Sequence, residues 1–306
     1  DNPLTARVWV NRAWEQFFGT GLVKSSENLG VQAAFPSHPR LLDWLAAEFM
    51  EPSQGIKVSG RSARPWDMKA FHKLLVTSAA YRQSARPAEG GRSYTLDPAN
   101  RLLSRGPRFR LSGEQVRDRA LYVSGLLVEK QGGPSVRPYM PAGVWSETTR
   151  YGDLRNYKRG QGESLYRRSM YTIWKRTAAP PTMLLFDAPN REICTLKRSR
   201  TNTPLQALSL LNEVTFVEAA RKLAGRMLAH GGEAPDARLE KGFQLAVARS
   251  PKPQELDILA KGLGEDLAYF RAHPEAARKL LEFGESQPPA GDPVELAAYT
   301  LAANVL

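Results

Sequence analysis

Carboxylate and guanidinium groups, which serve as acids, bases and anion ligands, gather between Asp187 and Asn202. Asp187 follows the apolar run LLF and precedes a turn at Pro189, so we expect a partly buried carboxylate that suits general acid or base catalysis. Arg198, Arg200 and Asn202 stand just before a helix start, where free N–H groups and the helix dipole attract anions. The pattern predicts a pocket for a carboxylate, sulfate or phosphate group, or an internal ion pair with Asp187.

The same stretch continues into a helix, and two of its polar residues have a structural task there. Thr203, Pro204 and Gln206 have the pattern of a capping box with proline at the first helical position. In such a box the Thr203 side chain accepts from the Gln206 N–H, and the Gln206 side chain accepts from the Thr203 N–H. Apolar residues then recur at helical spacing, namely Leu205, Leu208, Leu211 and Phe216.

Aromatic residues and arginines are dense between residues 134 and 200, where the helical period is lost. The set comprises Trp145 and Trp174 with Tyr139, Tyr151, Tyr157, Tyr166 and Tyr171. Flat rings stack on sugar faces and arginine holds anionic substituents, so this composition is typical of carbohydrate sites. The alternative is that the rings fill a region poor in aliphatic side chains. The predicted ligand-binding residues are Arg198, Arg200, Asn202, Trp145 and Trp174.

Other carboxylates allow a second chemistry, in which two acids facing a groove act as general acid and base on a glycosidic bond. Glu114 and Asp118 are four residues apart and share one helix face. The alternative for Glu114 is an acid that stabilises a helix N-terminus. Asp187 is the leading catalytic candidate, and the remaining acids near aromatic or arginine-rich segments are Glu147, Asp153 and Glu163.

The sequence predicts neither a metal site nor a cofactor of its own. The four histidines never stand at i,i+3 or i,i+4 spacing, and HExxH is absent, so a zinc site is not expected. Cys194 is the one cysteine, so no disulfide can form within the chain, and the haem-attachment motif CxxCH is absent. Cys194 is either a small buried hydrophobe or a reactive thiol.

The chain of 306 residues has a formal net charge of +12. A basic surface of this kind favours polyanions such as nucleic acid, anionic lipid or acidic polysaccharide, and the alternative is a solvated basic face. No nucleic-acid-binding motif supports the first of these partners. No window approaches 18 uninterrupted apolar residues, so no membrane span is expected.

Apolar periodicity predicts a mainly α, multi-helix domain with a small irregular or β-containing middle segment. Helices are expected over 2–19, 38–51, 68–84, 112–131, 203–229, 236–249, 253–271, 274–284 and 292–306. The stretch RRSMYTIWKR is the best strand candidate, because its side chains alternate from Met170 to Lys175. We expect residues 1–306 to be one domain cut from a longer protein, with parts 1–133, 134–200 and 201–306.

Several stretches occur in an order and spacing that resemble a known family. They include HPRLLDWLAAEF, LLVTSAAYRQS, LSGEQVRDRAL, GGPSV, FDAPN and TPLQALSLLN. Together they resemble the planctomycete-specific domain-of-unknown-function family 1553 over nearly the whole chain. The resemblance implies a large periplasmic or extracellular protein that often carries a c-type cytochrome domain, with haem in that neighbouring domain. It supplies no catalytic residues.

Three functions are compatible with these observations. The first is a polysaccharide-binding or accessory module of a redox-linked multidomain protein. The second is a carbohydrate-active enzyme, hydrolytic or oxidative, with Asp187 and the Arg198–Arg200 cluster in its site. The third is a scaffold that docks a c-type cytochrome domain of the same polypeptide.

Overall fold

A computed structural model describes residues 2–53, 55–86, 92–148 and 156–306. Within them the chain forms fourteen α-helices, and its regular strands are two pieces of two residues each, which confirms the mainly α class. The candidates Tyr151 and Asp153 lie outside the described residues. The chain divides into two compact units, Asp1–Arg110 and Leu111–Leu306, while the division into parts 1–133, 134–200 and 201–306 stays a prediction.

Unit 1 is built on three longer helices and a small hairpin. Two-residue strands β1 and β2 pair antiparallel across a tight turn at Ser59 and Gly60, both with positive φ. A stacked aromatic core holds the helices together, with ring centroids of Trp9 and Phe49 4.0 Å apart. The elements are Pro3–Phe18 (α1), Pro39–Met50 (α2), Lys57–Val58 (β1), Arg61–Ser62 (β2), Met68–Thr77 (α3), Ala79–Arg82 (α4) and Ser93–Leu96 (α5).

Unit 2 is a helical bundle around two long helices, α10 and α14. Small residues along α14, among them Ala297 and Ala298, are fully buried, which lets that helix approach α10 closely. Its helices are Gly113–Ser124 (α6), Val144–Thr148 (α7), Pro181–Leu185 (α8), Pro204–Asn212 (α9), Val214–His230 (α10), Pro235–Val247 (α11), Pro253–Ala272 (α12), Pro274–Leu281 (α13) and Pro293–Val305 (α14).

Three predicted helices are shorter than expected, because local capping residues interrupt them. Ser78 is extended and accepts from the Tyr81 N–H, which separates α3 from α4. Gly125 takes a left-handed conformation with φ 81° and ends α6 well before the predicted Gly-Gly-Pro stop. Glu213 is extended and accepts from the Thr215 N–H, which separates α9 from α10.

The predicted strand over residues 170–175 is wrong. The chain instead forms a 3₁₀ turn at Ser169–Tyr171, and pairing is limited to isolated bridges such as Val136 with Thr172. Side chains bind the backbone just before this stretch. Arg117 donates to the carbonyls of Leu165 and Arg167, and the Asp118 carboxylate accepts from the Ser169 N–H at 2.7 Å.

A buried polar cluster joins α10 to the connection after α13. The fully buried Glu218 accepts from the Tyr166 hydroxyl at 2.9 Å and from the Ser286 N–H at 2.6 Å. Arg221, 3.8 Å from Glu218, donates to the carbonyls of Leu281 and Ser286. Burial, and then the hydrogen bond to Glu218, raise the pKa of the Tyr166 phenol. The cluster fixes a connection that has no regular structure.

None of the described helices combines the length and apolar character needed to cross a bilayer.

The connection after α13 approaches α10 closely, and this approach depends on Gly284. Its φ is +85°, and a Cβ there would lie 2.3 Å from the Glu218 Cδ atom. Gly232 has a similar φ of +79°, but among the described residues no atom beyond its chain neighbours would lie within 4 Å of a Cβ there. We expect Gly284→Ala to lower the free energy of unfolding by roughly 2–4 kcal/mol, from left-handed strain and overpacking together.

Gly232→Ala is the matched control, because it carries the left-handed strain without the clash and should cost about 1–2 kcal/mol. Urea unfolding of the two variants measures the difference. Equal losses in both would contradict the packing described for Glu218.

Candidate functional site

Segments that lie far apart in the sequence meet at the start of α6 in unit 2. Arg198 Nη1 donates to the Glu114 Oε2 atom at 2.7 Å, and a Cβ at Gly113 would lie 3.1 Å from the Phe186 Cβ atom. The fold thus brings the LSGEQVRDRAL, FDAPN and TPLQAL stretches together. We call residues 112–118, 183–190 and 198–206 the motif junction.

The carboxylate of Asp187, the leading catalytic candidate, holds two segments of this junction together by hydrogen bonds. Asp187 has φ +60° and lies two residues after the end of the short helix α8. Its Oδ2 atom accepts from the Thr201 N–H at 2.7 Å, and both carboxylate oxygens lie 3.0 Å from the Thr201 hydroxyl. These bonds hold the carboxylate on the backbone of the following segment.

Gln206 connects two segments of the junction, 183–190 and 198–206, and it is the one buried residue of α9. Its Nε2 atom donates to the Leu185 carbonyl at 2.8 Å and to the Thr201 hydroxyl at 3.1 Å. Its Oε1 atom accepts from the Thr203 N–H at 3.2 Å, which is the predicted reach-back half of the capping box. The Gln206 N–H lies 3.1 Å from the Thr203 carbonyl.

Glu114 and Asp118 share a helix face as expected, but each has its own arginine. Asp118 Oδ2 lies 3.2 Å from Arg168 Nε, and Glu114 pairs with Arg198. Burial opposes ionisation of Glu114, but hydrogen bonds from Arg198 and its surroundings outweigh it and leave its pKa below the usual value of 4.5. Both carboxylates therefore have structural partners within the chain.

The two tryptophans of the predicted ligand-binding set lie in different surroundings. Trp145 is 1% exposed and packs edge-to-face on Tyr157, with centroids 4.9 Å apart. Trp174 is half-buried, its Nε1 atom donates to the Asn190 carbonyl at 3.1 Å, and Arg191 lies 4.3 Å above its ring. Trp145 is therefore closed to a sugar, and Arg191 covers one face of the Trp174 ring.

Arg200 and Asn202, the other two members of that set, are exposed, as is every residue from 191 to 205. Cys194 is a free, exposed thiol in the same segment, so the reading as a buried hydrophobe is wrong. The segment also carries exposed Ile193 and Leu196. Sequence reasoning placed basic residues here but missed these neighbouring apolar groups.

Apolar side chains continue along the outer face of α9. Leu205, Leu208 and Leu211 are 61%, 56% and 47% exposed, although i, i+3 and i+6 spacing usually marks a buried stripe. Arg191, Lys197, Arg198 and Arg200 bring positive charge to the adjoining segment. We call Ile193, Leu196, the three leucines and these four basic residues the α9 surface.

Acid clusters that suit a metal ion are not seen in the parts of the chain that the structure describes. A groove of about 270 Å³ lies along α2 in unit 1, with Trp44, Glu48 and Glu51 in its lining. It is lined by residues of α2 and its C-terminal cap alone, so it offers an open surface and not an enclosed site.

Comparison with known sequences covers most of the chain. A family model with the description "PSD1: Protein of unknown function (DUF1553)" matches residues 1–263. The chain belongs to the DUF1553 family. No curated protein and no solved structure matches it. All three segments of the motif junction lie within the residues that the DUF1553 model matches.

The hydrogen-bonded interaction between Asp187 and Thr201 can be tested by a double-mutant cycle. Asp187→Asn keeps the shape and suits a positive φ, and Thr201→Val removes the hydroxyl. We expect each single variant to lose about 1 kcal/mol of unfolding free energy, since the bonds to the carboxylate are partly solvated. The double variant should lose less than the sum, and additive losses would show that the pair does not interact.

The Glu114–Arg198 pair predicts a defined pH dependence. Because the folded pKa of Glu114 lies below its unfolded value, its contribution is present above pH 4.5 and is lost as pH falls through the folded pKa. Glu114→Gln should therefore lower the unfolding free energy near neutral pH, and the difference from wild type should shrink on acidification. A pH-independent difference would contradict the ion pair; chemical denaturation at several pH values provides the measurement.

Proposed function

We propose that this DUF1553 chain is a binding module whose α9 surface docks an acidic protein domain. The proposal rests on the exposure of α9, an apolar nine-residue helix in which only Gln206 is buried. Its apolar side chains present nonpolar surface to water, which is unfavourable. Exposed apolar groups next to charge are typical of protein interaction sites.

The charge of this surface indicates a negatively charged partner. The segment 191–200 carries four basic residues and one acid, Glu192, and the chain as a whole is strongly positive. A second copy would bring like charges together across this surface, whereas an acidic domain would be attracted and steered towards it. A c-type cytochrome domain of the same polypeptide, which the family resemblance implies, is the partner we propose.

The polysaccharide hypothesis is the second candidate, and the run of exposed basic residues favours it. Arginine forks bind sulfate and carboxylate groups well. The two predicted tryptophans give little support to aromatic stacking, because Trp145 is buried and Arg191 covers one face of Trp174. A polysaccharide would also leave the leucines of α9 uncovered.

The enzyme hypothesis has less support than either binding hypothesis. It rests on Asp187, whose carboxylate oxygens accept from the Thr201 N–H and hydroxyl. A general acid or base needs its carboxylate within reach of the substrate. The contacts of Asp187 are those of a residue that holds the junction together.

The docking proposal is tested by titrating an acidic c-type cytochrome domain into the whole chain by calorimetry. Leu208→Ser should weaken binding by roughly tenfold or more, which corresponds to about 1.4 kcal/mol. Ile258→Ser is the matched control, because Ile258 on α12 is 72% exposed and lies outside the α9 surface. Absence of binding at low salt, or equal effects of the two variants, would refute docking at this surface.

Heparin serves as the polyanion probe for the second candidate. If the α9 surface binds polysaccharide, Arg200→Gln should reduce heparin retention while Leu208→Ser leaves it unchanged. If it docks a protein, both substitutions should weaken binding of the cytochrome domain. The two patterns separate the candidate functions.

A further inference from the structure

The loop between α1 and α2 in unit 1 exposes two large apolar side chains at its tip. Val31 is fully exposed and Phe35 is 81% exposed. Between them stand Gln32, Ala33 and Ala34, so the tip from 31 to 35 carries no charge. Phenylalanine is usually among the most buried residue types, so this exposure asks for an explanation.

The loop is held in place, so the exposure belongs to a defined conformation. The Ser25 hydroxyl accepts from the Ala34 N–H at 3.0 Å and donates to the Asn28 carbonyl at 2.8 Å. The Ala33 N–H donates to the Gly30 carbonyl at 3.0 Å. Ala33 and Leu29 pack on the core of unit 1. The backbone is anchored on both sides of Val31, and its apolar side chain still faces solvent.

Size argues against a protein pocket as the natural environment of this tip. An aromatic side chain offers roughly 150–250 Å² of surface, whereas a stable protein interface buries about 1,000 Å² or more. The surface of two projecting side chains is far below that. Insertion into a lipid interface needs no matching pocket, and it adds to long-range attraction by charge.

Charge favours an anionic lipid surface. Lys24 precedes the tip and Arg40 follows it, both exposed, with Glu27 as the acid of the loop. The whole chain carries +12, and basic residues near an anionic leaflet contribute attraction that adds up over several groups. We propose that Val31 and Phe35 insert into the interface of an anionic bilayer and anchor unit 1 there. This anchoring is independent of docking at the α9 surface.

Vesicle sedimentation tests the proposal with the whole chain. Vesicles of equal parts phosphatidylcholine and phosphatidylglycerol should bind the wild type, and vesicles of phosphatidylcholine alone should bind it much less. The double substitution Val31→Ser with Phe35→Ser should weaken binding to the anionic vesicles by roughly tenfold or more, since burying a large apolar side chain is worth at least that factor.

Two further variants make the result specific. Ile258→Ser removes an equally exposed apolar residue in unit 2 and should leave vesicle binding unchanged. Phe35→Leu keeps an apolar tip and should retain most of the binding. This variant tests the role of an apolar side chain even if the serine substitutions impair folding. Failure of the wild type to bind anionic vesicles overturns the proposal, and so does undiminished binding by a folded double serine variant.

Discussion

The side-chain amide of Gln206 is the interaction on which the arrangement of the motif junction depends. Its donors reach the end of α8 and the Thr201 hydroxyl, and its acceptor receives the Thr203 N–H. Thr201 in turn is held by the Asp187 carboxylate. A nine-residue helix gains little stability on its own. Polar bonds hold α9 at its first turn, and the Asn304 Nδ2 atom of α14 donates to the Leu211 carbonyl at 3.1 Å near its end.

This mode of attachment explains how α9 can expose its leucines. A helix that is fixed near both ends by hydrogen bonds does not need to bury its apolar stripe to stay folded. The stripe then remains exposed for a partner, and the adjoining segment 191–200 adds exposed basic residues. Polar contacts inside the chain and apolar contacts outside it thus have separate roles.

Local signals in the sequence predicted much of the fold. Pro3 after Asn2, and the Ser112–Gln115 capping box, mark helix starts that the structure contains. Interruptions such as Glu213 were missed, because a glutamate is no ordinary N-cap and the apolar period continues across it. The strand expected at 170–175 is missing because the chain turns at Ser169–Tyr171. Arg117 and Asp118, some fifty residues away, bind the backbone of Arg167 and Ser169 just before that stretch, and period alone does not reveal such distant partners.

The candidate site was predicted in part for the same reason. The position of Arg198 near a carboxylate was foreseen, but its partner is Glu114 and not Asp187, since pairing across 84 residues depends on how α6 meets the junction. The buried Glu218–Arg221 pair gave only an i,i+3 charge pattern, which most often marks a solvated face. The helical period of Leu205 and Leu208 predicts burial, yet both are exposed. Their exposure depends on how α9 packs in unit 2, which the sequence pattern does not show.

Hydrogen–deuterium exchange on the whole chain, alone and with an acidic c-type cytochrome domain, tests the central claim most directly. Residues 191–203 have little regular backbone bonding and should exchange quickly in the free chain. Docking at the α9 surface predicts protection of these amides and of the start of α9, with no change on α12. Protection confined to other elements, or none at all in the bound state, would contradict the account.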